Sequence, residues 1–423
     1  MENIYLARNK TFSFRTSYLF MNVIGLIAIS ALVGQLCGYG LESVQLSIFN
    51  DILLYPFATK IVLLLLGLVV VLLNAKVKIV RVVFIPTILL FIYLSFLAVM
   101  YFSSGKDPYY LIVGFNVYYS MSFLFLVAYQ LRGFVSTYLL SIIIVCIGVP
   151  AIVLGMLQFF LHLPFPSPQP NAPILFFSFL RAYSFFGQPA QYSIFLLFIF
   201  AFFGSMLLRH HNQGATHGHS ILIFTFMVII VIAAYTTLTR SLLLAMVVAT
   251  ITLFITNFRF RNKYIIVYSL PFIYLFIIVF ALYYAHDISN IFSDPLTSSK
   301  SVSIRYEEWH YYANMLFRSP NVFFMGNGIV QGNHAAGSLN AAIPIDNSFL
   351  GVAINIGFVG LFIYLSVFGG MWIFLVNEAK NKSSISIESA LVFFSTWPIY
   401  AIIGNILYLY PLCVLIYLVG DRE

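Results

Sequence analysis

Long apolar stretches constrain the fold more than any other feature of this sequence. About 20 consecutive apolar residues are enough for a helix to cross the hydrocarbon core of a membrane. Only 8% of the residues are charged, whereas a soluble domain carries about 25% charged residues. A soluble globular protein is therefore excluded, and an all-α, polytopic integral membrane protein is predicted. Hydropathy separates eleven apolar stretches: 18–38, 59–75, 83–102, 111–131, 138–162, 191–208, 221–239, 241–257, 264–284, 348–376 and 390–420.

The last stretch is long enough to hold two spans. It contains Pro398 and Pro411 with a glycine between them, which predicts two short helices joined by a turn near 404–405. The chain is thus predicted to form a single transmembrane domain, 1–423, of about twelve helices. The first span is not interpreted as a cleavable signal peptide, because its hydrophobic run is long and no small-residue cleavage site follows it.

The basic residues predict the topology. Lysine and arginine collect in the cytoplasmic loops of membrane proteins. With twelve alternating spans, 14 of the 21 basic residues fall in the N-terminal segment, in alternate loops and in the C-terminal tail. Both termini are therefore predicted to be cytoplasmic. The other seven basic residues are predicted to lie on the outer side of the membrane or near the outer end of a span. They are Lys60, Lys106, Arg181, Arg240, Lys300, Arg305 and Arg318.

Three connections differ from the other, short ones. Residues 163–190 form an outer loop rich in proline and aromatics, and residues 285–347 form an outer segment of about sixty residues. Loops of that length are usually functional or disordered. Within the segment 285–347, the stretch SIRYEEWHYYANMLFRSP has apolar residues at helical spacing. This spacing predicts a large ordered loop with a helical segment. The inner loop 209–220 has four histidines but no cysteine or acidic partner, so a solvated loop is favoured over a metal site.

Arginines near the outer face are the first candidates for function. Arg240 interrupts the apolar run TTLTRSLLLAMVV, and a charge at the membrane edge marks a functional site by default. The planar guanidinium group of Arg240 suits a phosphate or diphosphate. Two other interpretations stay open: the side chain extends to the lipid head groups, or the residue marks a turn between two spans. Arg305 lies beside two glutamates, so a local ion pair competes with anion binding. Arg181, in an aromatic loop, suits either an interface anchor or a sugar-binding surface.

Two polar motifs follow the helical segment of the long loop. Gly326-Asn327-Gly328 permits a tight turn or a close backbone approach. Asp346 directly precedes Asn347 before the tenth span. Asp346 either caps that span or acts as a general base at the membrane face, and His334 is another candidate base.

The order and placement of these motifs resemble the O-antigen polymerase and ligase superfamily of bacterial surface polysaccharide assembly. The resemblance covers 181–376. It consists of an arginine after Thr-x-Thr at a span end, an outer loop with arginine and tryptophan four residues apart, a hydrophobic-x-Gly-x-Gly segment, and an acidic or histidine residue followed by Asn-x-x-Leu. In this chain these are TLTR, Arg305 with Trp309, MGNGI, and DNSFL.

The resemblance implies a GT-C-like membrane glycosyltransferase of the bacterial inner membrane. Its donor is a glycan on undecaprenyl diphosphate, and an acceptor hydroxyl displaces the diphosphate at the periplasmic face with inversion, without nucleotide, metal or other cofactor. The implied diphosphate ligands are Arg240 and Arg305, with Arg181 as a weaker third. The implied substrate-binding residues are Trp309, Tyr306 and Asn347. The implied partners are the lipid-linked oligosaccharide as donor and acceptor, a chain-length regulator, a flippase and the bilayer, with no nucleic acid.

One departure separates the branches of this superfamily. Its lipid A-core ligases resemble one another in having a histidine where this chain has Asp346. The acidic residue resembles the Wzy-type polymerases, so polymerisation of lipid-linked repeat units is the favoured function. Asp346 is the matched base, with His334 and Glu307 as alternatives. An O-antigen ligase, a lipid-linked glycan flippase or transporter, and a membrane scaffold stay open, although neither internal repeats nor paired broken spans are evident.

Overall fold

The computed structural model describes most of the second half of the chain and parts of the first. The described residues are 80–103, 137–165, 175–176, 179–187, 189–212, 217–257, 263–289, 309–327, 347–381 and 384–403, with single helical residues at 118, 122, 125, 126 and 129. In chain order the elements are α1 (Arg81–Ser103), α2 (Thr137–Leu161), β1 (Leu175–Phe176), β2 (Phe179–Leu180), α3 (Pro189–Asn212), α4 (His217–Thr236), α5 (Arg240–Asn257), α6 (Lys263–Ser289), α7 (Pro320–Met325), α8 (Ser348–Asn381), α9 (Ile385–Phe394) and α10 (Trp397–Ile403). Residues 309–316 are also helical.

Six of these helices are long and apolar enough to cross a membrane. The spans are Arg81–Met100, Leu140–Leu161, Pro189–His210, Gly218–Thr236, Arg240–Asn257 and Ser348–Asn381, and α6 carries the shorter apolar segment Lys263–Ile277. The prediction of a helical membrane protein is confirmed at this level, with the short pair of strands β1 and β2 beside the helices. The predicted spans at 18–38 and 59–75, and nearly all of 111–131, lie outside the described residues, so the count of twelve stays a prediction.

Helix α3 forms the centre of the described bundle. All of its residues from 191 to 205 are buried, and α2, α4, α5 and α9 pack around it. Its span is 83% buried, whereas that of α4 is only 22% buried although both are apolar. A helix that is apolar on every side must be covered by protein or by lipid. The low burial of α4 is therefore the pattern expected of a helix that contacts lipid.

Contacts between helix ends fix which ends of the bundle lie together. The Tyr264 hydroxyl at the start of α6 donates a 3.0 Å hydrogen bond to the Ala379 carbonyl near the end of α8. Lys263 Nζ donates at 2.6 Å to the Thr256 carbonyl near the end of α5. The ends of α5 and α8 are thus neighbours, at the end of the bundle where the basic residues predict the cytoplasm. The start of α5, at Arg240, lies at the opposite end.

Helix α8 is interrupted at Gly357, where φ is 72° and ψ is 177°. The interruption frees carbonyl groups that the described loop segment and α1 then satisfy. The Asn327 N–H donates to the Ile354 carbonyl at 2.7 Å, and the Tyr93 hydroxyl donates to the Ile356 carbonyl at 2.8 Å. Gly326 packs directly on the broken turn with a φ of 79°, and a Cβ there would overlap backbone atoms of α8. The predicted close approach at this glycine motif is therefore real.

A second interruption, at 395–396, separates α9 from α10. The two discontinuous segments pack together, because the Phe368 ring of α8 lies 5.9 Å from Phe394 and 5.3 Å from Trp397, measured between ring centroids. Neither interruption was predicted from the sequence. The turn predicted at 404–405 lies outside the described residues.

Candidate functional site

The site is built around the turn at 236–240, called here the TTLTR turn, which joins α4 to α5. Leu238 has a φ of 49°, a left-handed conformation that a leucine rarely adopts. Its N–H donates to the Tyr235 carbonyl at 3.0 Å, which closes the end of α4. Arg240 is the first residue of α5 and is exposed. It stands where two candidate spans meet, so it lies at the end of both and not in their middle.

The position of Arg240 on α5 favours an anionic ligand. The N-terminus of a helix carries partial positive charge, so a cation there is unfavourable by about 0.3–1 kcal/mol. An anion bound at the same end would interact favourably with both the guanidinium and the helix dipole. The local arrangement therefore suits a phosphate or diphosphate.

Arg181 contacts the TTLTR turn directly. Its Nε donates to the Thr237 carbonyl at 3.1 Å, and its Nη2 donates to Thr239 Oγ1 at 3.0 Å. The backbone of the next residue joins them, since the Ala182 N–H donates to the Thr236 carbonyl at 3.0 Å. Arg181 is half-buried, and burial lowers the pKa of its guanidinium. The structure thus brings together two of the three arginines predicted to bind diphosphate.

A buried glutamine of α2 holds the segment that carries Arg181. Gln158 Oε1 accepts the N–H groups of Tyr183 at 3.0 Å and Ser184 at 2.6 Å. Its Nε2 donates to the carbonyls of Phe165 at 2.9 Å and Ser184 at 3.0 Å. Sequence reasoning missed Gln158. The available signal was a carboxamide inside an apolar run, because a polar side chain in a span needs partners.

The second half of the outer loop 163–190 folds onto the helices. Strands β1 and β2 pair antiparallel, with Leu175 opposite Leu180 and Phe176 opposite Phe179, and this short pairing was not predicted. Beyond it, residues 182–184 and 186–187 are buried. The Phe186 ring stacks on Tyr192 of α3 with centroids 5.7 Å apart. The part of the segment that follows β2 is therefore packed against α3.

The start of α8 is capped by Asn347. Its Oδ1 accepts the N–H groups of Phe349 at 3.0 Å and Leu350 at 3.1 Å, as the side chain of an N-cap residue does. The interpretation of Asp346 as the cap is therefore wrong by one residue. Since the carboxamide oxygen of Asn347 is occupied by the backbone, only its Nδ2 is left for the predicted contact with substrate.

The helical segment of the long outer loop rests on α8. Residues 309–316 are helical, as predicted, and Tyr312 and Leu316 are buried against Ala353 and Ile354. Trp309, predicted to bind substrate, is half-buried. Its Nε1 is buried and has no hydrogen-bond partner among the residues that the structure describes.

Five predicted site residues lie outside the described part of the chain, and their roles stay predictions. They are Arg305, Tyr306, Glu307, His334 and Asp346. The placement of Arg305 relative to Arg240 is therefore not part of the observed geometry.

Comparison with known proteins adds no family assignment: no family model matches the chain, and no curated protein matches it significantly. The motif resemblance described above therefore stays a resemblance. The functional argument rests on those motifs and on the geometry around the TTLTR turn.

Proposed function

We propose that this chain is an integral-membrane glycosyltransferase that polymerises lipid-linked oligosaccharide repeat units for O-antigen, capsule or exopolysaccharide. The observation that carries the proposal is the position of Arg240. It is exposed at the start of α5, where two candidate spans meet, and its turn is held by a second arginine. A diphosphate at the membrane surface, with its lipid tail in the bilayer, is the ligand that this position suits.

The proposed reaction is a displacement at the anomeric carbon of the donor sugar. The acceptor hydroxyl oxygen forms a bond to that carbon while the bond to the diphosphate oxygen breaks. The electron pair leaves with undecaprenyl diphosphate, and the hydroxyl proton passes to a base, for which Asp346 is the proposed residue. Arg240 and Arg305 would stabilise the negative charge that grows on the leaving group, as preorganised charge-assisted donors do.

A reconstituted assay tests this function. The purified chain in liposomes is given only undecaprenyl-diphosphate-linked repeat units, and the products are separated by size. A polymerase gives a ladder, whereas a strict requirement for lipid A-core identifies the ligase alternative. Arg240→Ala should abolish the ladder. Arg318→Ala is the matched control, because Arg318 is also exposed but belongs to the loop segment 309–327 and not to the turn. An unchanged ladder from the Arg240 variant would contradict the proposal.

A lipid-linked glycan flippase or transporter is the second candidate, and the two broken helices favour it, since discontinuous spans are a feature of transporters. Two observations weigh against it. The Ile354 and Ile356 carbonyls at the α8 break already accept hydrogen bonds from Asn327 and Tyr93, so neither of these two groups needs an ion to satisfy it. Arg240 also lies at the end of its spans. Translocation of labelled donor in liposomes, without polymer formation, would favour the transporter.

A further inference from the structure

We propose that Arg181 is a positioning residue, which holds the TTLTR turn in the conformation that presents Arg240 to the diphosphate. The identity of that ligand rests on the proposed function. Arg181 itself acts on the protein: its Nε and Nη2 both donate to the turn, to the Thr237 carbonyl and to Thr239 Oγ1. A guanidinium presents its donors in a fixed plane, so two such bonds set the distance and the orientation of the turn together.

The turn depends on support from outside because its backbone is unusual. Leu238 is held at a φ of 49°, and such a conformation persists only where the surroundings enforce it. The two flanking threonines bond to each other, since the Thr239 N–H donates to Thr237 Oγ1 and Thr239 Oγ1 donates to the Thr237 carbonyl, each at 3.2 Å. Arg181 donates to two atoms of this small network, the Thr237 carbonyl and Thr239 Oγ1. It therefore closes the network immediately before Arg240.

The segment that carries Arg181 is itself hydrogen-bonded to α2 and to the end of α4. Gln158, inside the α2 span, bonds the backbone on both sides of Ser184. The Ala182 N–H adds a backbone bond to Thr236. Hydrogen bonds thus link α2 to the loop at residues 183–184. Arg181 and Ala182 then link the loop to residues 236, 237 and 239 of the TTLTR turn, directly before α5. These links make Arg181 the residue through which the loop sets the position of Arg240.

A double-mutant cycle on ligand binding separates positioning from direct contact. Undecaprenyl diphosphate is titrated into the detergent-solubilised full chain carrying Arg181→Lys, Arg240→Ala, or both. Arg181→Lys keeps the charge but loses the two-pronged contact, so the affinity should fall about tenfold in the wild-type background. In the Arg240→Ala background the same change should have no further effect. Full additivity, or wild-type affinity for Arg181→Lys alone, would overturn the proposal.

Amide hydrogen exchange gives a readout that does not depend on catalysis. Arg181→Lys and Thr239→Val should each speed exchange at 237–240 about tenfold, while Thr239→Ser keeps the hydroxyl and should exchange like wild type. Arg318→Lys, an exposed arginine changed in the same way, is the matched control and should leave these amides unchanged. Unchanged exchange in both Arg181→Lys and Thr239→Val would overturn the proposal. If the wild type does not bind the diphosphate, the proposed function fails, and the exchange result alone decides whether Arg181 holds the turn.

Discussion

Replacing Gly357 by alanine tests the contact between residues 324–327 and the broken helix α8, which is called here the clamp. The backbone at Gly357 has a φ of 72° and a ψ of 177°, a region that only glycine adopts readily, and other residues there are strained by about 1–3 kcal/mol. A Cβ would also stand 2.5 Å from Met325 N and closer still to the Phe324 carbonyl oxygen. Overpacking of this kind costs about 1–3 kcal/mol. The variant should therefore lose about 2–6 kcal/mol of unfolding free energy.

The matched control lies on the same helix. A Cβ at Gly369 would meet nothing within 4 Å, so Gly369→Ala should be neutral or stabilise the helix by up to about 1 kcal/mol. Both variants are unfolded by denaturant in detergent micelles, followed by the fluorescence of the three tryptophans of the chain. If Gly357→Ala unfolds at the same denaturant concentration as Gly369→Ala, the clamp does not exist as described.

Three further predictions use the same unfolding assay. Gly370→Ala should destabilise by about 1–3 kcal/mol, because its Cβ would overlap the Val82 carbonyl where α1 crosses α8; wild-type stability would refute this crossing. Tyr93→Phe should cost about 1–3 kcal/mol by leaving the Ile356 carbonyl without its 2.8 Å donor, and no loss would mean that another group satisfies it. Gln158→Ala should lower the free energy of unfolding by at least about 2 kcal/mol, because the N–H groups of Tyr183 and Ser184 lose their acceptor. Hydrogen exchange at these two amides should become faster, and unchanged exchange would show that they have other partners.

Most helices of the described part could be predicted because their signal is local. The apolar run at 241–257 became α5, Arg240–Asn257, and the run at 191–208 became the span Pro189–His210. A bilayer requires every spanning backbone to satisfy its own hydrogen bonds, so an apolar run of sufficient length has few alternatives to a helix.

The support of the candidate site could not be predicted, because it depends on contacts between distant residues. Arg181 bonds to the turn 56 and 58 residues further along, and Gln158 bonds to residues 25 and 26 further along. The sequence around Arg181 does not indicate that its guanidinium group donates to other residues of the protein. The prediction of the residue that caps α8 failed for a different reason. Aspartate and asparagine are about equally good N-cap residues, so propensity could not distinguish Asp346 from Asn347.

The broken helix is where the two functional hypotheses diverge physically. In many alternating-access transporters, discontinuous spans form a site near the midplane, and one bundle of helices rocks against the other around that site. In this chain the break at Gly357 is filled by the loop backbone: Asn327 bonds to Ile354, and Gly326 fits where a side chain could not. Movement of α8 away from this segment would break the bond between Asn327 and Ile354 and leave a carbonyl unpaired, at a cost of about 1–3 kcal/mol if it stays buried. A transferase needs the opposite property, because its donors must stay fixed while charge develops on the leaving group. Under the proposed function, the clamp favours chemistry at the end of the bundle where α5 begins, at Arg240.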